Sequence, residues 1–430
     1  MNLKEVKGVT FVDGGVCASK GFRANGIQCG LAHKPITSTD ENSAVANNAL
    51  PVKKKNDLAL IVADRECTAA AVYTTNKVKG APILVTKEHI KNGTAKAVIV
   101  NSVNANTCNA DGVEKAEKMC SLVADEIGID MNDVIVASTG VIGQVLPIEP
   151  IADGMKELAE GLTYDGNSRA VEAIMTTDTQ VKEVAVQFEL GGKNCTMGGM
   201  LKGSGMVHPN MATTLTFITT DVDISAELLQ RALSDVVKVT LNRVSVDGDT
   251  STNDMVCVLA NGTAENVPVT KENEEFEKFV NALYAVMMNL ARKMARDGEG
   301  ATKLIECVCS GADTEKTAEI VAKSVITSSL FKAAMFGEDA NWGRILCAVG
   351  YADADFDINK VDVSIGSEKG TVDVCRNGAG VEFSEEKAKE ILGEEEIIIN
   401  ISLGNGKGKA VAWGCDLTYD YVKINGDYRS

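Results

Sequence analysis

The chain has 430 residues, of which 45% are hydrophobic and 24% are charged, and its formal net charge is -17. This length is enough for a large core or two lobes, and the composition is that of a soluble globular enzyme. The negative charge disfavours nucleic acids and anionic membranes as partners, because both are negatively charged themselves.

The twelve cysteines are spread along the chain without a CxxC pair. Neither a disulfide framework nor a zinc site is therefore expected. The opening residues, MNLKEVKGVTF, lack the apolar core of a signal peptide, and no segment has the length of a membrane-spanning helix. We expect free, mostly buried thiols, a cytoplasmic location and no membrane association.

Strands and helices are predicted throughout the chain. Residues 34–56 are polar and mixed in charge, which indicates a surface loop. Alternating or β-branched runs predict strands at 58–62, 69–73, 97–100, 133–137, 181–190, 244–246 and 255–259. Helical spacing of apolar residues predicts helices at 107–127, 226–241, 274–296 and 385–392, the last capped by Ser384. Because both types recur in both halves, the class is α/β or α+β, with helices covering sheets.

The segment 202–221, KGSGMVHPNMATTLTFITTD, stands out. It joins a glycine-rich turn and a Pro-Asn pair to an apolar, threonine-rich run. Glycine permits unusual backbone conformations and proline fixes φ, so the segment predicts a tight loop that places a threonine at the start of a strand. The same local pattern also fits an ordinary turn followed by a core strand.

Seven segments together resemble the glutamate N-acetyltransferase family, also called ornithine acetyltransferases. Besides KGSGMVHPNMATTL, they are NSVNANTC (101–108), STGVIG (138–143), MTTDT (175–179), VDGDTSTND (246–254), GEGATK (298–303) and FGEDANWGRI (336–345). They follow the family's order and span most of the chain. The resemblance implies an αββα sandwich of the self-processing type with an N-terminal threonine nucleophile.

The resemblance also implies self-cleavage between Ala212 and Thr213. The cut would give an alpha chain, residues 1–212, and a beta chain, residues 213–430, associated as an α2β2 heterotetramer. Thr214 follows directly, so two threonines are adjacent; the preceding alanine and the spacing to Lys202 favour Thr213 as the nucleophile.

A hydroxyl nucleophile needs a base. The chain has only three histidines; His33 and His89 are interpreted as solvated surface residues, and His208 as a local variation near the loop. A released α-amino group on Thr213, with a pKa of about 7.7 to 8.0, supplies a base on the same residue as the hydroxyl. The sequence therefore favours an N-terminal threonine mechanism over a Ser-His-Asp device.

Acyl transfer requires donors for a developing oxyanion. Thr139 and Gly140 follow a predicted strand, where a hydroxyl and a backbone N–H can face a cleft, although a plain strand-ending turn explains them equally well. The resemblance implies that this pair is the oxyanion hole.

Lys202 and Glu299 are complementary candidates for an amino-acid substrate, because a lysine can hold a carboxylate and a carboxylate can hold an ammonium. Each alone could be a solvated charge. The resemblance implies further substrate contacts from Thr176, Asn425 and Ser430.

The implied reaction moves acetyl from N2-acetyl-L-ornithine to Thr213 and then to L-glutamate, in arginine biosynthesis. It needs no cofactor or metal, and acetyl-CoA is an open second donor. The main alternative is an aminopeptidase or amidase on the same scaffold, which would give the acyl group to water. A noncatalytic amino-acid-binding protein is the second alternative, and the presence of Thr213, Thr139, Gly140 and Lys202 argues against it.

Overall fold

The structure is a computed structural model that describes residues 2–31, 55–208, 214–404 and 406–426. The strands are β1 Thr10–Val12, β2 Phe22–Ile27, β3 Leu58–Tyr73, β4 Thr94–Asn101, β5 Val134–Ser138, β6 Glu183–Leu190, β7 Lys193–Lys202, β8 Leu215–Thr220, β9 Val244–Ser245, β10 Met255–Ala260, β11 Leu304–Ala312, β12 Asp362–Ser367, β13 Gly370–Arg376, β14 Ala379–Gly380, β15 Glu396–Ser402 and β16 Gly408–Cys415. The helices are α1 Ala81–His89, α2 Gly112–Ile127, α3 Glu149–Glu160, α4 Asn167–Ile174, α5 Ala226–Val239, α6 Glu274–Arg296, α7 Glu315–Thr327, α8 Ser329–Phe336, α9 Trp342–Gly350, α10 Glu385–Leu392 and α11 Tyr419–Asn425.

The larger sheet has the strand order β1-β6-β7-β8-β10-β3-β4-β5, with β2 also paired to β3. Strand β8 runs parallel to β10 and antiparallel to β7. Two predicted strands, 58–62 and 69–73, are one continuous strand, β3. The exposed polar residues 64–66 interrupt its apolar pattern, and its register against β4 shifts between Val62 and Cys67. The local irregularity made one bent strand look like two.

The smaller sheet has the order β14-β13-β12-β15-β11-β16-β9. Helices α7 to α10 contribute to the core on this sheet. Helix α6 packs against strands of both sheets, β6 and β7 of the larger and β11 and β16 of the smaller. The predicted mixed α/β class is confirmed, and the two helix-covered sheets agree with an αββα sandwich.

Helix α6 has the predicted bounds, because its apolar stripe and its first turn are both unambiguous. Leu283, Val286 and Leu290 are fully buried, and the Asn273 side chain accepts a hydrogen bond from the Phe276 N–H, as an N-cap should. The predicted cap of α10 is also confirmed: the Ser384 hydroxyl accepts from the Lys387 N–H at 3.1 Å.

Helix α2 begins later than predicted, at Gly112 rather than at residue 107. Asn106 and Cys108 have φ values of 49° and 63°, a left-handed conformation that no α-helix accommodates. The Asn106 amide donates to the Gly112 carbonyl at 2.8 Å. The segment before α2 is therefore a polar turn held by its own side chains.

Two further expectations have clear outcomes. All twelve cysteines are free, and eight are buried. The surface assignment of His89 is wrong: its ring is buried, with Nδ1 2.8 Å from the Val134 carbonyl, because helix α1 packs on β5. Within the described ranges, no helix is both long and apolar enough to cross a membrane.

Candidate active site

The turn after β5 depends on glycine at position 140. Gly140 has φ of 125°, and a Cβ there would lie 2.1 Å from the Val103 carbonyl oxygen. The Val141 N–H donates to that same oxygen at 3.0 Å. No larger residue fits this backbone, so the turn that follows Ser138 is fixed in shape.

Two hydrogen-bond donors, the Thr139 hydroxyl and the Gly140 N–H, lie just after the end of β5. Both residues are partly exposed, and no residue of the described chain accepts a hydrogen bond from the Thr139 hydroxyl or the Gly140 N–H. Behind them, the Asn253 amide donates to the Ser138 carbonyl at 2.9 Å and to the Ala105 carbonyl at 2.6 Å. A hydroxyl and an N–H thus lie on a turn that is held rigidly from behind.

The turn 246–254 and the first residue of β10, which follows it, anchor the chain on the two sides of residues 209–213. The Thr250 hydroxyl donates to the His208 carbonyl at 2.8 Å, and the Met255 N–H donates to the Thr214 carbonyl at 2.8 Å. Ala212 and Thr213 themselves lie outside the described residues, so the structure gives their predicted roles no geometry. It does fix the residues on either side.

Thr214 is part of the core. It is 3% exposed, and its hydroxyl lies 2.6 Å from the Thr216 hydroxyl. Its methyl group packs closely on Gly203, where a Cβ would be 2.9 Å from Thr214 Cγ2. The hydroxyl of the second threonine is therefore already engaged.

His208 is half-buried, and its Nδ1 lies 3.0 Å from the Ser245 hydroxyl. Burial lowers its pKa, which the nearby Lys323 reinforces and Asp247 opposes. The lowered pKa favours the neutral ring, and its contact with Ser245 helps to fix the end of the segment before residue 209.

Lys202 is a cation without a direct acid partner. It is the last residue of β7, opposite Leu215, and its Nζ makes no hydrogen bond or ion pair within the described chain. Its charge nevertheless reaches two buried carboxylates. Burial acts to raise the pKa of Asp178, but Lys182 and Lys202 outweigh burial and lower this pKa. Burial raises the pKa of Asp254, which Ser251 and Lys202 counteract only partly.

Thr176 is held beside this cluster of charges. Its N–H donates to Asp178 Oδ2 at 3.0 Å, and its carbonyl accepts from Lys55 Nζ at 3.1 Å. The first threonine of MTTDT therefore contacts a carboxylate, Asp178, whose pKa the charge of Lys202 helps to lower.

Glu299 and Asn425, both predicted as substrate contacts, are in contact with each other. The Asn425 amide donates to Glu299 Oε2 at 2.7 Å, and the Glu299 N–H donates to the Ser204 carbonyl at 2.9 Å. Glu299 is 7% exposed, yet no cation of the described chain pairs with its carboxylate. Ser430 lies outside the described residues, so its predicted contact stays a prediction.

The surroundings of Glu299 are negative. Burial and then the carboxylates of Asp247, Glu299 and Asp249 raise the pKa of Tyr421. A buried carboxylate without a counter-ion is costly. A cationic ligand group would relieve that cost at this position.

Gly205 makes room for the Glu299 carboxylate, since a Cβ at position 205 would lie 2.3 Å from Oε2. Gly205→Ala should therefore displace the carboxylate while leaving the backbone intact. We expect a melting temperature close to that of the parent and weaker binding of an amino acid with a side-chain ammonium. Calorimetric titration with ornithine checks this; unchanged ornithine affinity would contradict the placement of Glu299.

Sequence reasoning missed the residues that hold the site together, chiefly Asn253, Asp178, Lys182 and Asp297. The recognised motifs MTTDT and VDGDTSTND contain two of them, Asp178 and Asn253, but no role was assigned to either. The available signal was a polar residue inside a short motif next to a buried strand, since such residues must be hydrogen-bonded when buried.

The fold and these side chains define a mixed α/β protein. Among its described residues it presents a lysine without an acid partner, a buried carboxylate without a cation, and a rigid turn whose hydroxyl and N–H have no acceptor. The chain belongs to the ArgJ family, whose model matches residues 44–430.

Relatives match almost end to end. The arginine biosynthesis bifunctional protein ArgJ of Caldanaerobacter subterraneus subsp. tengcongensis is 47% identical over 420 residues, covering 97% of this chain and 99% of that protein. The arginine biosynthesis bifunctional protein ArgJ 1 of Clostridium acetobutylicum is 48% identical over 402 residues, covering 93% and 98%. The crystal structure of the arginine biosynthesis bifunctional protein argJ from Bacillus halodurans is 46% identical, covers 49% of this chain and 97% of that chain, and has a TM-score of 0.47.

Proposed function

We propose that the protein transfers the acetyl group of N2-acetyl-L-ornithine to L-glutamate, giving N-acetylglutamate and ornithine in arginine biosynthesis. The observation that carries this proposal is a pair of opposite charges, Lys202 and Glu299, which form no ion pair within the described chain and lie on two segments joined by the Ser204 carbonyl. Lys202 suits the α-carboxylate that both substrates carry. Glu299, with the Asn425 amide beside it, suits the side-chain ammonium that only the ornithine part carries.

The proposed nucleophile is Thr213, released by self-cleavage after Ala212. Its hydroxyl attacks the Ala212 carbonyl, the peptide bond becomes an ester, and water releases the two chains. The free amine then takes the hydroxyl proton during acetyl transfer. One observation favours Thr213 over its neighbour: the Thr214 hydroxyl is already engaged with Thr216.

Thr139 and Gly140 are the proposed oxyanion hole, since their hydroxyl and N–H have no acceptor in the described chain and lie on a rigid turn. Preorganised donors of this kind stabilise the charge that develops on the acetyl oxygen. No metal or cofactor enters this mechanism. Acetyl-CoA is proposed as a second acetyl donor, which fits the word bifunctional in the relatives' names.

We also propose an α2β2 assembly of the two self-cleaved chains, a cytoplasmic location and a substrate contact from Ser430. The free thiols fit a reducing compartment. Ser430 follows α11, the helix that supplies Asn425, so the C-terminal segment starts beside the Glu299 carboxylate.

Lys202→Ala and Glu299→Gln separate the two proposed charge roles. Lys202→Ala should lower kcat/KM for acetylornithine and glutamate alike, by roughly thirtyfold or more, because each loses its carboxylate partner. Glu299→Gln should penalise acetylornithine much more than glutamate. Acetyl-CoA as donor lacks the ornithine ammonium, so Glu299→Gln should spare the acetyl-CoA reaction.

Steady-state kinetics with each donor checks this, and Lys91→Ala, at an exposed lysine, is the matched control with unchanged kinetics. Kinetics at parent level for both Lys202→Ala and Glu299→Gln would exclude these residues from substrate binding. Acetate release at the same rate with and without glutamate would instead favour the hydrolase.

A further inference from the structure

Three buried ionic side chains form a cluster behind the substrate-binding residues. Lys182 Nζ lies 2.7 Å from Asp178 Oδ1 and 2.5 Å from Asp297 Oδ2. The three side chains are 0%, 0% and 3% exposed. We call Asp178, Lys182 and Asp297 the ion triad.

Asp178 connects the triad to two of the proposed substrate residues. Its Oδ1 also accepts the Gly203 N–H at 2.9 Å, directly after Lys202. Its Oδ2 accepts the Thr176 N–H at 3.0 Å. One carboxylate therefore sets the distance between the backbones that carry Thr176 and Lys202.

Asp297 connects the triad to the third proposed substrate residue, Glu299. Its side chain accepts the N–H groups of Thr179 and Gln180 at 3.1 and 3.2 Å. Its carbonyl accepts the Ser204 hydroxyl at 2.6 Å, and the Ser204 carbonyl in turn accepts the Glu299 N–H. The Glu299 backbone is thus tied to the turn after Lys202 through residues that contact the triad.

Stability alone is a poor explanation for such a cluster. Burying three charges costs desolvation energy, and apolar residues of similar volume often stabilise a core as well or better. Carboxylates accept hydrogen bonds in defined directions. The two carboxylates accept backbone N–H groups from two segments, residues 176–180 and Gly203, and Asp297 itself belongs to a third segment, which carries Glu299. Apolar contacts cannot specify such an arrangement.

We propose that the ion triad consists of positioning residues that set the spacing of Thr176, Lys202 and Glu299 for the two substrates. This inference rests on the proposed function. Asp178 and Lys182 precede the proposed cut and Asp297 follows it, so the triad also joins the two chains at the site after cleavage.

The decisive variant removes all three charges together: Asp178→Asn, Lys182→Met and Asp297→Asn. Lys182→Met alone would strand two buried carboxylates and could unfold the protein, whereas the triple variant leaves no unpaired charge. We expect it to fold and to self-cleave. Its KM for acetylornithine and for glutamate should rise roughly tenfold to a hundredfold, with a much smaller change in kcat.

KM should change more than kcat because the proposed oxyanion hole, Thr139 and Gly140, is held by Asn253 and Val103 and not by the triad. A merely structural role would lower the melting temperature and the active fraction with unchanged KM. Arg292→Met is the matched control: it removes a buried cation that pairs with Glu396 and Glu306, and it should cost stability without changing KM.

Asp297→Asn is the second variant, since it leaves the Lys182–Asp178 pair neutral. It should raise KM for acetylornithine more than for glutamate, because it acts on the segment that carries Glu299. An active parent together with unchanged KM values in the folded triple variant, or in Asp297→Asn, would overturn the triad inference alone. A parent that transfers no acetyl group to glutamate would overturn the proposed function and the inference with it.

Discussion

Thr213→Ala should leave the purified protein as one polypeptide under denaturing conditions, whereas the parent should give two fragments. The second fragment of the parent should begin at Thr213. The reason is chemical: without the hydroxyl there is no nucleophile for the Ala212 carbonyl, and without cleavage there is no free amine to act as base. Acetyl transfer should therefore also be lost, and denaturing electrophoresis with N-terminal sequencing checks both fragments.

The adjacent threonine offers a matched control. Thr214→Val removes the hydroxyl that is bonded to Thr216 but keeps the methyl group that packs on Gly203. This variant should still cleave and still transfer acetyl. Cleavage at the same bond in Thr213→Ala, or an uncleaved Thr214→Val that is otherwise folded, would show that the nucleophile has been assigned to the wrong threonine.

Thr139→Ala should lower kcat by roughly tenfold to a thousandfold, the usual cost of removing one oxyanion donor. Its KM values should change far less, because the proposed substrate contacts of Lys202 and Glu299 are left unaltered. The melting temperature should also stay close to the parent value, since the Thr139 hydroxyl has no acceptor within the described structure.

Thr139→Ser is the matched control, because it restores the hydroxyl without the methyl group. We expect it to recover most of the parent's rate of acetyl transfer from acetylornithine to the enzyme, measured in a single turnover. Equal rates for the parent and Thr139→Ala would remove this side chain from the oxyanion hole and leave only the Gly140 N–H.

The elements with regular patterns were predictable from the sequence. Helix α6 has its predicted bounds because one apolar stripe and one polar cap agree. Strand β3 was divided in two because its bend exposes residues 64–66, and α2 began late because Asn106 and Cys108 take left-handed conformations. Both differences arise from local geometry that periodicity does not encode.

The candidate substrate residues could be predicted from their residue types, but the buried residues that hold them in place could not. Complementary charge suggested Lys202 and Glu299, and the contact between Glu299 and Asn425 agrees with a common site. The triad was missed because Lys182 looks like a surface lysine at the start of an alternating strand. Only the tertiary fold brings Asp297, 115 positions away, to its ammonium.

The mass of the second fragment tests most directly whether the acetyl group passes through Thr213. The purified protein is incubated with acetylornithine but without glutamate, quenched in acid and analysed by mass spectrometry. We predict that the fragment gains one acetyl group, located on Thr213, and that added glutamate removes it as N-acetylglutamate forms. N-acetylglutamate production at full rate, with no acetylated fragment at any time after rapid quenching, would contradict acetyl transfer through Thr213.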